Sequence, residues 1–128
     1  MVAYNFQSRF ADQIRSGKKT HTVRRNSKRR HARKGERLQL YTGMRTKACA
    51  KILDIDPVCI DALPIEIVID ADSKWITSIT IGGVPVRSLN RFARADGFIS
   101  LAEMSGFFLA MHGPGVFRGT LIEWRAES

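Results

Sequence analysis

Acidic residues are scarce where this chain begins. The first fifty-one residues hold two, Asp12 and Glu36, against fifteen Lys or Arg, whereas the remainder holds ten against six. Cysteine is rarer still. Cys49 and Cys59 do not form a C-x-x-C pair, and three scattered histidines do not complete the four or so ligands of a structural zinc site. A disulfide framework is thereby excluded, and free thiols in a reducing cytosol, hence a cytoplasmic protein, are the expectation. No apolar run approaches the roughly eighteen residues that span a bilayer, so no membrane partner is expected. Met1-Val2-Ala3-Tyr4-Asn5 lacks the basic-then-apolar order of a secretory signal. Internal repeats are missing too.

What remains is an ordinary globular composition, 44% apolar over 128 residues, which fits one domain with one core. Its net charge is +9 and its pI about 10.3. Clustered Lys and Arg gain free energy by releasing counterions from phosphates, so the amino-terminal excess points to a polyanion, nucleic acid first. The alternative is a solvated basic face that serves solubility.

Periodicity gives the elements. Phe6, Phe10 and Ile14 predict a helix that stops at Gly17. Thr20 to Arg25, Arg37 to Tyr41, Lys47 to Asp56, Ile65 to Ile69, Trp75 to Ile81 and Phe117 to Trp124 read as strands. Asn26 to Lys34 reads as a basic, mobile loop, and Pro57 and Pro64 weaken any strand around them. Ser88 to Ala95 predicts a short helix. Ser100 and Glu103 form a capping box opening a helix with Leu101, Met104, Phe107, Phe108 and Met111. Without a strand–helix–strand alternation, the pattern predicts an α+β fold, a small, mainly antiparallel β-barrel flanked by about three helices.

The richest stretch is Ser16 to Arg24. Period-two geometry sends Thr20, Thr22 and Arg24 to one face, and Lys19 can turn toward them. Two hydroxyls, an ammonium and a guanidinium suit a phosphate or a base edge, and a neutral Lys19 would activate a hydroxyl. An edge strand with solvated polar residues is the alternative. In a second stretch, Tyr41 is placed to stack an unpaired base, with Arg45 and Lys47 near the backbone, or else to pack at a hairpin rim. Arg25, Lys28, Arg29, Arg30 and Arg33 continue the cationic run. His21, His31 and His112 are candidate proton carriers, and the carboxylates Asp54, Asp56, Asp61, Asp70 and Asp72 show no metal-site spacing.

Gly17-Lys18-Lys19-Thr20-x-Thr22-x-Arg24, then Gly35-x-x-Leu38, then Phe92-Ala93-Arg94-Ala95-Asp96-Gly97-Phe98 and Gly119-Thr120-Leu121-Ile122-x-Trp124 resemble, in that order, the ASCH domain family. The resemblance implies a PUA-like barrel with a cleft against its helices and RNA-associated work. Some members of that family hydrolyse the amide of N4-acetylcytidine, and others cut single-stranded RNA. For the hydrolase, it implies a lysine and a threonine, here Lys19 and Thr22, with a glutamate whose place Asp96 takes, one methylene shorter.

Two functions follow. In the first, single-stranded RNA lies in a basic cleft along Ser27 to Lys34 and is cut. Tyr41 or Lys47 then stands near the reacting phosphate, Lys19, Arg24, Arg45 and Lys47 hold phosphates, and magnesium is a possible cofactor. In the second, Thr22 attacks or positions water on an acylated nucleoside, Lys19 takes the proton and Asp96 donates to the leaving amine. An RNA-binding module without turnover is the third reading.

Overall fold

Alternating burial decides most of the strands. Ile65, Ile67 and Ile69 point inward while Glu66 is exposed, and Val2, Tyr4 and Phe6 do the same around Ala3 and Asn5. The computed structural model of the chain describes residues 2–126. In chain order these form β1 (Val2–Phe6), α1 (Ala11–Arg15), β2 (His21–Arg25), β3 (Leu38–Thr42), β4 (Ala50–Lys51) and β5 (Val58–Ile69). Then come β6 (Ile76–Ile81), β7 (Val84–Pro85), α2 (Leu89–Ala95), α3 (Leu101–His112) and β8 (Gly115–Arg125). One sheet is antiparallel, in the order β2-β8-β5-β6-β7. The other is β1-β3-β4, with β1 parallel to β3.

The fold is α+β with three helices, and its strand pairing does not close a barrel. The two sheets are joined by a bridge, Arg37 to Val58, with Leu38 N–H donating to the Pro57 carbonyl at 2.9 Å and Cys59 N–H to the Glu36 carbonyl at 2.7 Å. Residues from both sheets and all three helices share one apolar cluster that includes Leu38, Leu40, Ile67, Ile79, Met104 and Ile122.

Several expected elements differ. Phe6 ends a strand instead of starting a helix, and the helix proper is only Ala11–Arg15, entered through a 3-10 turn at Ser8–Phe10. The strand expected over Lys47 to Asp56 shrinks to two residues, because Gly43 to Cys49 closes on itself through Thr46. β5 runs straight through Pro64. That is permitted because pairing with β6 begins one residue later, at Ile65, so the side where proline lacks its N–H faces the turn at Gly82, not a strand. The expected cap at Ser100 is present, its Oγ accepting from Glu103 N–H at 3.2 Å, and Ser88 Oγ caps α2 in the same way, accepting from Arg91 N–H at 3.2 Å.

The basic loop is pinned, contrary to the expectation of mobility. Ala32 is buried and its N–H donates to Tyr4 Oη at 3.0 Å. His31 Nε2 lies 2.9 Å from the Arg25 carbonyl, an acceptor, so that nitrogen carries the proton and Nδ1 accepts from the Tyr4 hydroxyl at 3.0 Å. Arg30 forks onto Glu36 with two bonds of 2.7 Å. This fork and the Arg33 N–H hold the Glu36 carboxyl down to about 2.

Candidate active site

A cavity of about 490 Å3 opens between β1, β2 and the carboxyl end of α3. Its size suits a small ligand. Tyr4, Phe6, Phe10, Phe98, Phe107 and Phe108 supply aromatic walls, and Lys19, Thr22, Arg24 and Asp96 supply the polar groups.

Each polar group reaches the cavity for a local reason. After α1 the chain turns at Gly17, whose φ is +80°, and Lys19 N–H is tied back to the Gln13 carbonyl at 3.0 Å. This sends Lys19 inward, where 3% of it is exposed. Its Nζ donates to the Asp96 carbonyl at 2.7 Å and to Asp96 Oδ1 at 2.9 Å, and lies 5.1 Å from the centre of the Phe10 ring. Asp96 caps the end of α2, with 4% exposed. The next residue has to be glycine: Gly97 has φ +98°, and a Cβ there would stand 2.4 Å from Gln13 Oε1. Gln13 Nε2 donates to the Gly97 carbonyl at 3.1 Å, so one side chain of α1 braces the turn that carries Asp96.

Thr22 is 5% exposed, and its Oγ1 accepts from Arg24 Nε at 3.2 Å. The Arg24 guanidinium lies 4.6 Å from the Phe6 ring centre and 5.3 Å from that of Tyr4, and donates to the Asn5 carbonyl at 2.6 Å. His21, two residues after Lys19 along the chain, stacks on Phe92 at 5.1 Å. Its Nε2 is 3.3 Å from Asp96 Oδ1, out of line for a hydrogen bond and buried without another partner.

Burial pushes the Lys19 ammonium below the ordinary lysine range, with Asp96 pulling the other way. Burial alone would raise the Asp96 carboxyl, but the Lys19 charge, helped by His21, more than offsets this and leaves it ionised below the usual range. Burial likewise lowers Arg24. The arrangement is a buried ion pair that shares a cavity with a hydroxyl already accepting a charged hydrogen bond.

Of the residues singled out in the sequence, Lys19, Thr22, Arg24 and Asp96 meet in this cavity, and Arg25, Arg29 and Arg30 stand on its lining as exposed side chains. Tyr41, Arg45 and Lys47 do not line it: Tyr41 is half-buried on β3, and the two cations are exposed in the following loop. The nearest link is one strand away, where Tyr41 pairs with Asn5 and Met44 N–H donates to Asn5 Oδ1. Thr20 does not share a face with Thr22. It precedes the regular strand, is exposed and lines a separate surface cavity with Lys34, Cys59 and Trp124. Lys28 and Arg33 are exposed and away from the lining.

Sequence reasoning missed the aromatic walls from β1, although Val2-x-Tyr4-x-Phe6 carries the alternation of a half-buried strand. It also put His21 away from the site. Period two from Lys19 would have placed it beside Asp96. No three His, Cys, Asp or Glu side chains converge as a metal site among the described residues, and no helix there is long and apolar enough to cross a membrane. No protein-family model, curated protein or solved structure matches the chain.

Proposed function

We propose that the cavity binds an acylated pyrimidine nucleoside of the N4-acetylcytidine type and hydrolyses its exocyclic amide. The observation that carries this reading is the buried Lys19–Asp96 pair on the lining of the same aromatic-walled cavity as buried Thr22. Aromatic rings offer stacking to a flat base. Lys19 loses its proton more readily than an exposed lysine because burial disfavours its charge. Once Lys19 has released its ammonium proton to solvent, Nζ takes the Thr22 hydroxyl proton as Oγ1 bonds to the acetyl carbon, while Arg24 Nε steadies that oxygen. The C–N bond then breaks, and the same proton goes from Lys19 to the departing cytosine nitrogen. Water, deprotonated in turn by Lys19, cleaves the acyl-threonine to acetate and restores Thr22.

Asp96 has a different task from the proton donation first expected of it. An ionised carboxylate has no proton to give. Asp96 orients Lys19 through its backbone carbonyl and Oδ1, and its carboxylate balances the charge. This also accommodates the shorter side chain, since aspartate on the α2 turn already reaches Nζ. Kinship with the ASCH domain and its PUA-like barrel belongs to the same proposal.

A second reading, processing of single-stranded RNA, draws support from Arg25, Arg29 and Arg30 on the lining. It lacks Tyr41 and Lys47 there, although His31 and His112, two of the candidate proton carriers, do line the cavity. Incubating the purified protein with N4-acetylcytidine and following cytidine by chromatography separates the readings. Turnover that falls about 100-fold or more in Thr22→Ala and in Lys19→Met is expected. Absence of cytidine with wild-type protein, or undiminished turnover in both variants, refutes the hydrolase. Cleavage of a labelled single-stranded RNA under the same conditions supports the second reading.

A further inference from the structure

A smaller cavity, about 270 Å3, adjoins the first. Arg25 and His112 line both. The second is completed by Asn26, Gly113, Pro114, Val116, Phe117 and Arg118, and no carboxylate is among these residues. Arg25 Nη2 donates to His112 Nδ1 at 2.9 Å, so the imidazole is the acceptor there and adds no charge of its own at that nitrogen. Burial and the Arg25 charge both lower the His112 pKa, which agrees with a neutral ring. Arg118 reaches the cavity from β8, with Nε held by exposed Glu66 at 3.0 Å across to β5. The result is a concave surface with two guanidiniums and apolar ground from Phe117 and exposed Val116, next to the first cavity across the shared Arg25–His112 pair.

Two arginines without a lining carboxylate suit an anion with several acceptor oxygens, and the volume exceeds what one phosphate needs. We infer that the second cavity seats the phosphodiester and sugar of a neighbouring nucleotide, so that the base in the first cavity arrives as part of a single-stranded polynucleotide. This rests on the reading of the first cavity as a nucleoside site and names the substrate class for it. Lys19 and Thr22 are almost wholly buried, so a base has to leave its stack to reach them.

The probes are cytidine, the ribotrinucleotide U-C-U and a duplex carrying the same triplet, with binding measured by calorimetry in 50 and 300 mM salt. U-C-U is expected to bind at least about tenfold more tightly than cytidine at low salt, with most of the gain lost at high salt. The duplex should bind no better than cytidine. Arg118→Gln, which touches nothing in the first cavity and loses only an exposed ion pair, should weaken U-C-U about fivefold and leave cytidine within twofold. Equal affinity for cytidine and U-C-U, tight duplex binding, or equal effects of Arg118→Gln on both single-stranded probes overturns the inference. If acetylcytidine is hydrolysed yet U-C-U gains nothing, the inference falls alone. If U-C-U binds through Arg118 while acetylcytidine is untouched, the hydrolase falls and the polynucleotide subsite stands.

Discussion

Replacing Asp96 by Asn isolates the charge of the buried pair, because the amide keeps the shape and an acceptor oxygen for Lys19. What it removes is the counter-charge of an ammonium that is almost wholly withdrawn from water. The penalty has a ceiling, since an uncompensated buried lysine surrenders its proton. From an unfolded-state pKa of about 10.4, neutralising Lys19 costs about 4.6 kcal/mol at pH 7 and about 1.9 kcal/mol at pH 9. A deficit of about 3–4.6 kcal/mol at pH 7 is therefore expected, within the range known for breaking buried pairs. The sign of its pH dependence follows from proton counting. Between pH 7 and 9 the folded variant holds one proton fewer than its unfolded chain, so its stability rises with pH by about 1.4 kcal/mol per unit and the deficit narrows. Urea titrations followed by the fluorescence of buried Trp124 measure both quantities. A deficit under about 1 kcal/mol at pH 7, or one that does not narrow by pH 9, refutes the ion pair. Should Asp96→Asn fail to fold at neutral pH, the double variant Lys19→Met with Asp96→Leu removes both charges and is expected to recover most of the loss.

Two further outcomes test the scaffold. In Gly119→Ala the new Cβ would lie 2.3 Å from the Arg24 carbonyl oxygen and 2.9 Å from the Phe117 ring, so β2 and β8 have to spread; a loss of about 2 kcal/mol in urea melts is expected, and wild-type stability would contradict the close approach. Glu36→Gln removes a carboxyl held near 2 against its ordinary 4.5, a group that stabilises the fold above pH 4.5 and stops doing so as pH falls toward 2. The variant should accordingly show a shallower acid limb between those values and faster proteolytic nicking within residues 26–36, and identical acid titrations would count against the Arg30–Glu36 fork.

Much of this architecture was legible where one interaction type decides. The capped helices at Ser88 and Ser100, and the strands around Ile65 to Ile69 and Trp75 to Ile81, follow from local chemistry and periodicity. Lys19 and Thr22 stood out as chemistry-bearing residues, the resemblance added Asp96, and the three line one cavity. What stayed hidden depends on long-range pairing. β1 earns its strand state from β3, thirty-six residues on, where Val2 meets Leu38, and Pro64 is tolerated only because β6 starts late. Tyr41 and Lys47 looked close to the site in sequence, but the register of β3 sets Tyr41 one strand away from the cavity wall, and Lys47 is exposed in the loop that follows. The openness of the sheets was hidden for the same reason: strand patterns report faces, not closure.

The Lys19–Asp96 contact joins positions 77 residues apart, and its two halves ride on different elements. The buried pair therefore forms only when the turn after α2 docks against the segment that leads into β2. An N-terminal fragment ending before α2 would carry Thr22 and Arg24 yet leave the lysine without its anion. For a chain emerging from the ribosome, Lys19 stays unpaired until residue 96 has been made and has found its place.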